Sequence, residues 1–251
     1  MKKSLFFVLG VCMLTLAGCV NTGDVVSKSE KAVDKIKSGQ TTFVLKNKQG
    51  SIDNQTVDTG TFIMKPFKVQ IDQTTQDQQS SPYYIVDGTM YLKMGKAWYK
   101  HPVKDSDQTV KNTKNEMTAS SVISAVKSLK DDLKAKKDGS NYVLSYTGSS
   151  KKAKQVAEQV LMDQIGAKSK SALKEVSVKK LTVKYTVDNK NYLPKKSLID
   201  IKYKNKRSNA NASTRAEGTY SSLNKINDVE VPNSVKKDAK KIPDSVASFL
   251  F

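Results

Sequence analysis

Tyr83-Tyr84-Ile85-Val86-Asp87-Gly88-Thr89-Met90-Tyr91-Leu92-Lys93-Met94 is the stretch on which the reading of the fold turns. Asp-Gly between two aromatic and β-branched runs signals a tight hairpin, because a two-residue turn that follows the strand twist needs positive φ at both central positions. Gly95-Lys96 supplies a second turn, and Ala97 to His101 reads as the next strand. Towards the N-terminus, period-two segments at Thr42 to Leu45, Gly60 to Lys65 and Phe67 to Ile71 complete an antiparallel meander. Before them, Val25 to Lys37 carries apolar residues at Val25, Ala32, Val33 and Ile36, which predicts an amphipathic helix closed by Gly39.

Towards the C-terminus the period lengthens. Ser120 or Ser121 caps a helix with Val122, Val126, Leu129 and Leu133 on its apolar face, expected to run to Gly139. Asn141 to Thr147 reads as one strand. A second helix opens at Ser149 or Ser150, buries Val156, Ala157, Val160, Leu161 and Ile165, and stops at Gly166. Lys174 to Val187 then begins a second β-rich half, followed by a turn at Asp188 to Asn191 and strands at 197–204, 215–222 and 225–231. Val176-Val178 and Leu181-Val183-Tyr185 alternate in opposite phases, which predicts a bulge at Lys179-Lys180. Pro232 opens a tail with short turns. Helix, meander, two helices, second meander is an α+β order, without the repeated βαβ units of a parallel sheet.

The first twenty residues have a separate logic. Lys2 and Lys3 precede an apolar stretch from Leu5 to Thr15, and Leu16-Ala17-Gly18-Cys19 places two small residues directly before a cysteine. This pattern matches a bacterial lipobox. Residues 1–18 are therefore expected to be a signal peptide, Cys19 the lipidated N-terminus, 19–24 a tether and 25–251 a single domain. The apolar stretch falls short of the about 20 residues that a spanning helix needs. Cys12 would leave with the peptide, so the remaining chain forms no disulfide and relies on packing. The expected location is the extracellular face of the cell membrane, held by the lipid anchor.

At 37% hydrophobic and 27% charged residues, the composition is that of a globular chain. Its net charge of +19 invites a nucleic-acid reading, but only Arg207 and Arg215 are arginines, and the lysines are dispersed over every predicted element. Nucleic-acid sites favour arginine forks and aromatic platforms on one basic face, so no nucleic-acid partner is expected. Anionic lipid or wall polymer is a weaker candidate partner, each lysine near such a surface contributing about 1 kcal/mol. The search for catalytic chemistry finds little. His101 is the only histidine and reads as the end of a strand, and no Cys-His nucleophile, phosphate loop or serine motif occurs. The acidic, glutamine-rich run from Asp72 to Asp77 reads as a hairpin connection, not a calcium loop. The chain is expected to be non-enzymatic and monomeric, with no cofactor and no metal.

Met90, Leu92 and Met94 share one face of their strand, as Phe62 and Met64 share one of theirs. Methionine suits surfaces that accept varied apolar ligands and also fills ordinary cores. A curved sheet covered by helices encloses either a packed core or a cavity, and Met90, Leu92 and Met94 are the cavity candidates. The hairpin from Tyr83 to Met94 with Trp98-Tyr99-Lys100 resembles the central hairpins of the LolA/LppX-like lipoproteins, and the closing Val229-Glu230-Val231-Pro232 with Val235 to Ala239 resembles the end of a Gram-positive lipoprotein family of that type. That resemblance implies a strongly curved antiparallel half-barrel whose open side is covered by helices. It further implies a lipid or acyl-chain ligand between sheet and helices. The rival reading is a filled core, acting through the surface on wall polymer or a protein partner.

Overall fold

The computed structural model describes residues 20–76, 78–164 and 169–242. Cys19 and the leader before it lie outside them, as do Ile165 and Gly166 of the expected helix stop. Helix α1 (Thr22–Val33) precedes a meander of β1 (Ser38–Gln49), β2 (Ile52–Met64), β3 (Phe67–Thr75), β4 (Gln78–Val86), β5 (Thr89–Met94) and β6 (Ala97–Pro102). Next come α2 (Gln108–Thr118), α3 (Ser120–Ser128), the hairpin β7 (Lys134–Asp138) and β8 (Asn141–Gly148), and α4 (Lys151–Gln164). After a 3-10 turn, β9 (Val176–Asp188), β10 (Pro194–Asn205) and β11 (Asn211–Ser221) form the second meander, and α5 (Asn233–Asp238) and β12 (Lys240–Lys241) follow.

All the strands join one open sheet in the order β12-β6-β5-β4-β3-β2-β1-β11-β10-β9-β8-β7. The two meanders meet where β1 pairs with β11, Gln40 opposite Ser221 and Gln49 opposite Ala212. The pairing of β12 with β6 is parallel and the other ladders are antiparallel. The sheet curves strongly into a half-barrel, and α1 to α4 fill its concave side. Asp87 (φ 50°) and Gly88 (φ 68°) make the turn that the Asp-Gly pair predicts. The predicted bulge is present as well. Lys202 pairs with Lys180 while the next residue, Tyr203, pairs with Val178, leaving Lys179 as the extra residue.

Side-chain alternation divides the sheet into two apolar surfaces. On the concave side Phe62, Val69, Ile71, Ile85, Leu181 and Tyr185 meet α1, α3 and α4 in the main core, where Leu129 and Val126 are fully buried. On the convex side Tyr84, Val86, Tyr91 and Trp98 carry a smaller cluster, covered by Val229, Val231 and Val235 of the C-terminal segment. Residues 225–231, expected to be a strand, join no ladder.

Other expectations need correction. Helix α1 starts at Thr22, inside the stretch read as tether, because the Asn21 side chain accepts from the Asp24 N–H and caps it. It ends at Val33, so Gly39 lies in β1. Helix α3 stops at Ser128, and Lys134–Asp138 pairs with β8 in place of continuing the helix to Gly139. β1 and β2 are far longer than their apolar cores, and β3 takes in Asp72 to Thr75 of the run read as a connection. α2 was not expected at all.

Candidate functional site

The site is built from the meeting of β1 and β11 upward. Thr41 of β1 donates its hydroxyl to the Met117 carbonyl at 2.7 Å, which fastens the end of α2 over the sheet. Gly60 of β2 makes room for that contact, since a Cβ there would lie 2.6 Å from the Met117 sulfur and 3.2 Å from Ile71. Ala119, buried with φ 65°, then turns the chain sharply from α2 into α3. These three devices fix where α2 ends on the sheet and where α3 begins.

Between floor and helices lies a cavity of about 630 Å³. Its floor is Phe43 and Leu45 of β1, Ile199 of β10, and Ala216 and Tyr220 of β11. The helices contribute Val122 and Ala125 of α3 and Val156, Val160 and Met162 of α4. Polar groups ring this apolar centre: Asn112, Asn115 and Glu116 of α2, four serines of α3, and Gln159 and Asp163 of α4. Among the described residues no lysine or arginine lines it. Apolar walls with a few convergent polar groups, and a volume within the roughly 300–1,000 Å³ range, are features shared with small-ligand sites.

The electrostatics at one end are unusual for so basic a chain. Burial first, and the nearby Asp58 charge second, push the Glu116 carboxyl up to about 7. Asp58, on β2 between Phe43 and Gln73, is itself raised by burial, and its Oδ1 is buried without a hydrogen-bond partner among the described residues. Tyr220 is raised to about 12 by burial, and its hydroxyl shares a 3.0 Å hydrogen bond with Ser197 Oγ. Gly218 leaves the space for that pair, because a Cβ there would lie 2.5 Å from the Tyr220 hydroxyl. Tyr83 and the fully buried Tyr185 are also raised by burial, and the Tyr185 hydroxyl has no partner among the described residues. The arrangement suits hydrogen bonding to a ligand head by a carboxyl that is neutral below about pH 7. No group of three His, Cys, Asp or Glu residues able to hold a metal occurs among the described residues.

The sequence-derived candidates sit elsewhere. Met90 is buried in the main core, Leu92 is half-buried against it, and Met94 is half-buried at the end of β5. The first two share the concave face as expected, but none of the three lines this cavity. His101 lies in β6 opposite Met90. Glu116 escaped notice because its helix did. Asp58 left one signal, an acid in phase with Gly60, Phe62 and Met64 on the core side of a strand.

A family model described as "Family of unknown function (DUF6612)" matches residues 21–240. No curated protein matches the chain. Among solved structures it is similar to the lipoprotein LppX of Mycobacterium tuberculosis, at 13% identity and TM-score 0.46, covering 83% of this chain and 98% of that one. It is also similar to LprF of Mycobacterium bovis, at 11% identity and TM-score 0.45, covering 84% and 96%. A LolA superfamily protein of Nitrosomonas europaea aligns at 9% identity and TM-score 0.31, over 86% and 97%. Among the described residues no helix is long and apolar enough to cross a membrane.

Proposed function

The chain belongs to this family of unknown function (DUF6612), and we propose that it is a membrane-anchored, non-enzymatic lipoprotein that holds an apolar ligand, a lipid or an acyl chain, between its curved sheet and its helices. The observation that carries this reading is the cavity of about 630 Å³ over Phe43, Leu45 and Ile199. Each methylene moved from water into such a site gains about 0.8 kcal/mol, so an acyl chain is strongly favoured wherever the walls are apolar. In this reading Cys19 carries the anchor, and the short distance from Cys19 to the cap at Asn21 keeps the domain close to the membrane that supplies the ligand.

The test uses full-length protein in a neutral detergent. Native mass spectrometry is expected to show a copurified lipid, and a fluorescent acyl probe is expected to bind saturably. Ala216→Phe, which projects a ring from the floor, is expected to reduce probe binding about tenfold, equivalent to 1.4 kcal/mol, with little loss of stability. Protein free of adduct that binds no apolar probe would refute the carrier reading.

A further inference from the structure

Along the sequence the lysines look dispersed, but the strand register gathers many of them on one surface. Leu181, Val183, Tyr185 and Val187 of β9 turn inward and are fully buried, so Lys180 and Lys184 stand on the convex face. Lys180 pairs directly with Lys202. Lys184 pairs with Ser145, and Lys134 with the same serine from its other side. Lys136 and Lys196 extend the face through Val143 and Thr186. All six lysines are exposed, and none forms an ion pair among the described residues. The acids on this face are few: Asp200 and Glu217 both bind Arg215, Asp188 binds Lys195, and Asp138 stands in phase with Lys134 and Lys136 at the turn end of β7.

We infer that the convex face of β7 to β10 is a docking surface for a linear phosphodiester polymer, of the glycerol-phosphate kind, and that it works independently of the cavity. Like charges placed directly opposite on a ladder destabilise a sheet, so the Lys180–Lys202 pair is a cost that an anionic partner would relieve. Neighbouring strands lie about 4.8 Å apart and alternate residues about 6.7 Å, well inside a Debye length of about 8 Å at physiological salt. The lysines therefore act on an anion together. Between them stand hydroxyls, with Thr147 donating to Thr182 across the ladder, that can bond to phosphate oxygens. Arg215 at its margin is held by Asp200 and Glu217, and Tyr146, Tyr185 and Tyr203 of these strands pack inward, so the surface offers neither a free arginine fork nor a stacking platform. That chemistry reads charge and not bases. Convexity decides between the remaining polyanions. A flexible chain can follow a curved sheet, whereas a flat bilayer touches only its crest.

The test compares full-length protein with Lys180→Gln/Lys184→Gln/Lys196→Gln/Lys202→Gln. A control, Lys31→Gln/Lys111→Gln/Lys151→Gln/Lys237→Gln, removes the same charge from exposed helix positions. The probes are poly(glycerol phosphate), single-stranded DNA of equal charge, and phosphatidylglycerol vesicles. Wild type is expected to prefer the polymer at low salt and release it near 1 M, where the Debye length is about 3 Å. The sheet variant is expected to lose about tenfold or more, and the control less than about threefold. If the sheet variant fails to fold, Lys180→Gln/Lys202→Gln alone is expected to weaken binding without lowering the thermal midpoint. Equal losses in variant and control, no polymer binding by wild type, or tighter binding to DNA or vesicles would each overturn the assignment.

Discussion

Replacing Glu116 by Gln keeps the shape of the side chain and removes its titration, which makes it a sharp probe of the cavity wall. In the unfolded chain this carboxyl ionises near its ordinary value of 4.5, whereas in the fold burial and the Asp58 charge hold the proton to about 7. Between those values the folded state binds more protons than the unfolded state, so stability falls as pH rises, and the loss is complete above the folded value. At 1.36 kcal/mol per unit, and with some discount because Glu116 is only partly buried, the penalty is roughly 2–3 kcal/mol. Urea unfolding at pH 5 and pH 8 measures it. The variant is expected to exceed wild type by less than about 1 kcal/mol at pH 5 and by roughly 2 kcal/mol more than that at pH 8. With a slope of about 2 kcal/mol per molar urea, that is a midpoint shift of about 1 M. Asp58→Asn should lower the midpoint of the Glu116 titration, because it removes the second cause of the shift. A Glu116→Gln protein with the same pH dependence as wild type would refute the assignment of Glu116 as a neutral wall group.

Four further outcomes follow from the packing. Gly60→Ala should destabilise by about 1–3 kcal/mol in thermal unfolding, because its Cβ meets the fully buried Met117. Val231→Ala should cost about 1.5 kcal/mol for two lost methyl groups and shift the emission of Trp98, the only tryptophan, towards the red as the convex cluster opens. Leu92→Trp should cost about 1–3 kcal/mol by overpacking the core while probe binding persists; a tolerated tryptophan that blocks the probe would move the ligand site to β5. Cys19→Ala should abolish incorporation of an alkyne fatty acid, and equal labelling of both proteins would remove the anchor.

What the sequence made legible was local, and the residues show why. Asp87-Gly88 needs only its own backbone to declare a turn, and the opposed phases around Lys179 need only the neighbouring side chains. Helix α2 hides because its buried face is completed by Thr113 and Thr118, which satisfy themselves on the carbonyls of Thr109 and Lys114 and leave only Val110 and Met117 as apolar marks. β7 hides for the converse reason. Leu129 and Leu133 continue a helical spacing through the turn after α3, so Lys134 to Asp138 looked like the polar face of one longer helix. Ile226, Val229 and Val231 mimic a strand because they cover an apolar surface, although their backbone joins no ladder. The cavity and the lysine face were both out of reach, since each depends on pairing between distant segments: Phe43 with Gly218, Lys202 with Lys180. The bulge ties the two together. With Lys179 as an extra residue, Val178 and Leu181 both turn towards the core while Lys179 and Lys180 are both exposed. One inserted residue thus lets β9 change phase without burying a lysine or exposing a valine, and the face opposed to the cavity keeps its charge.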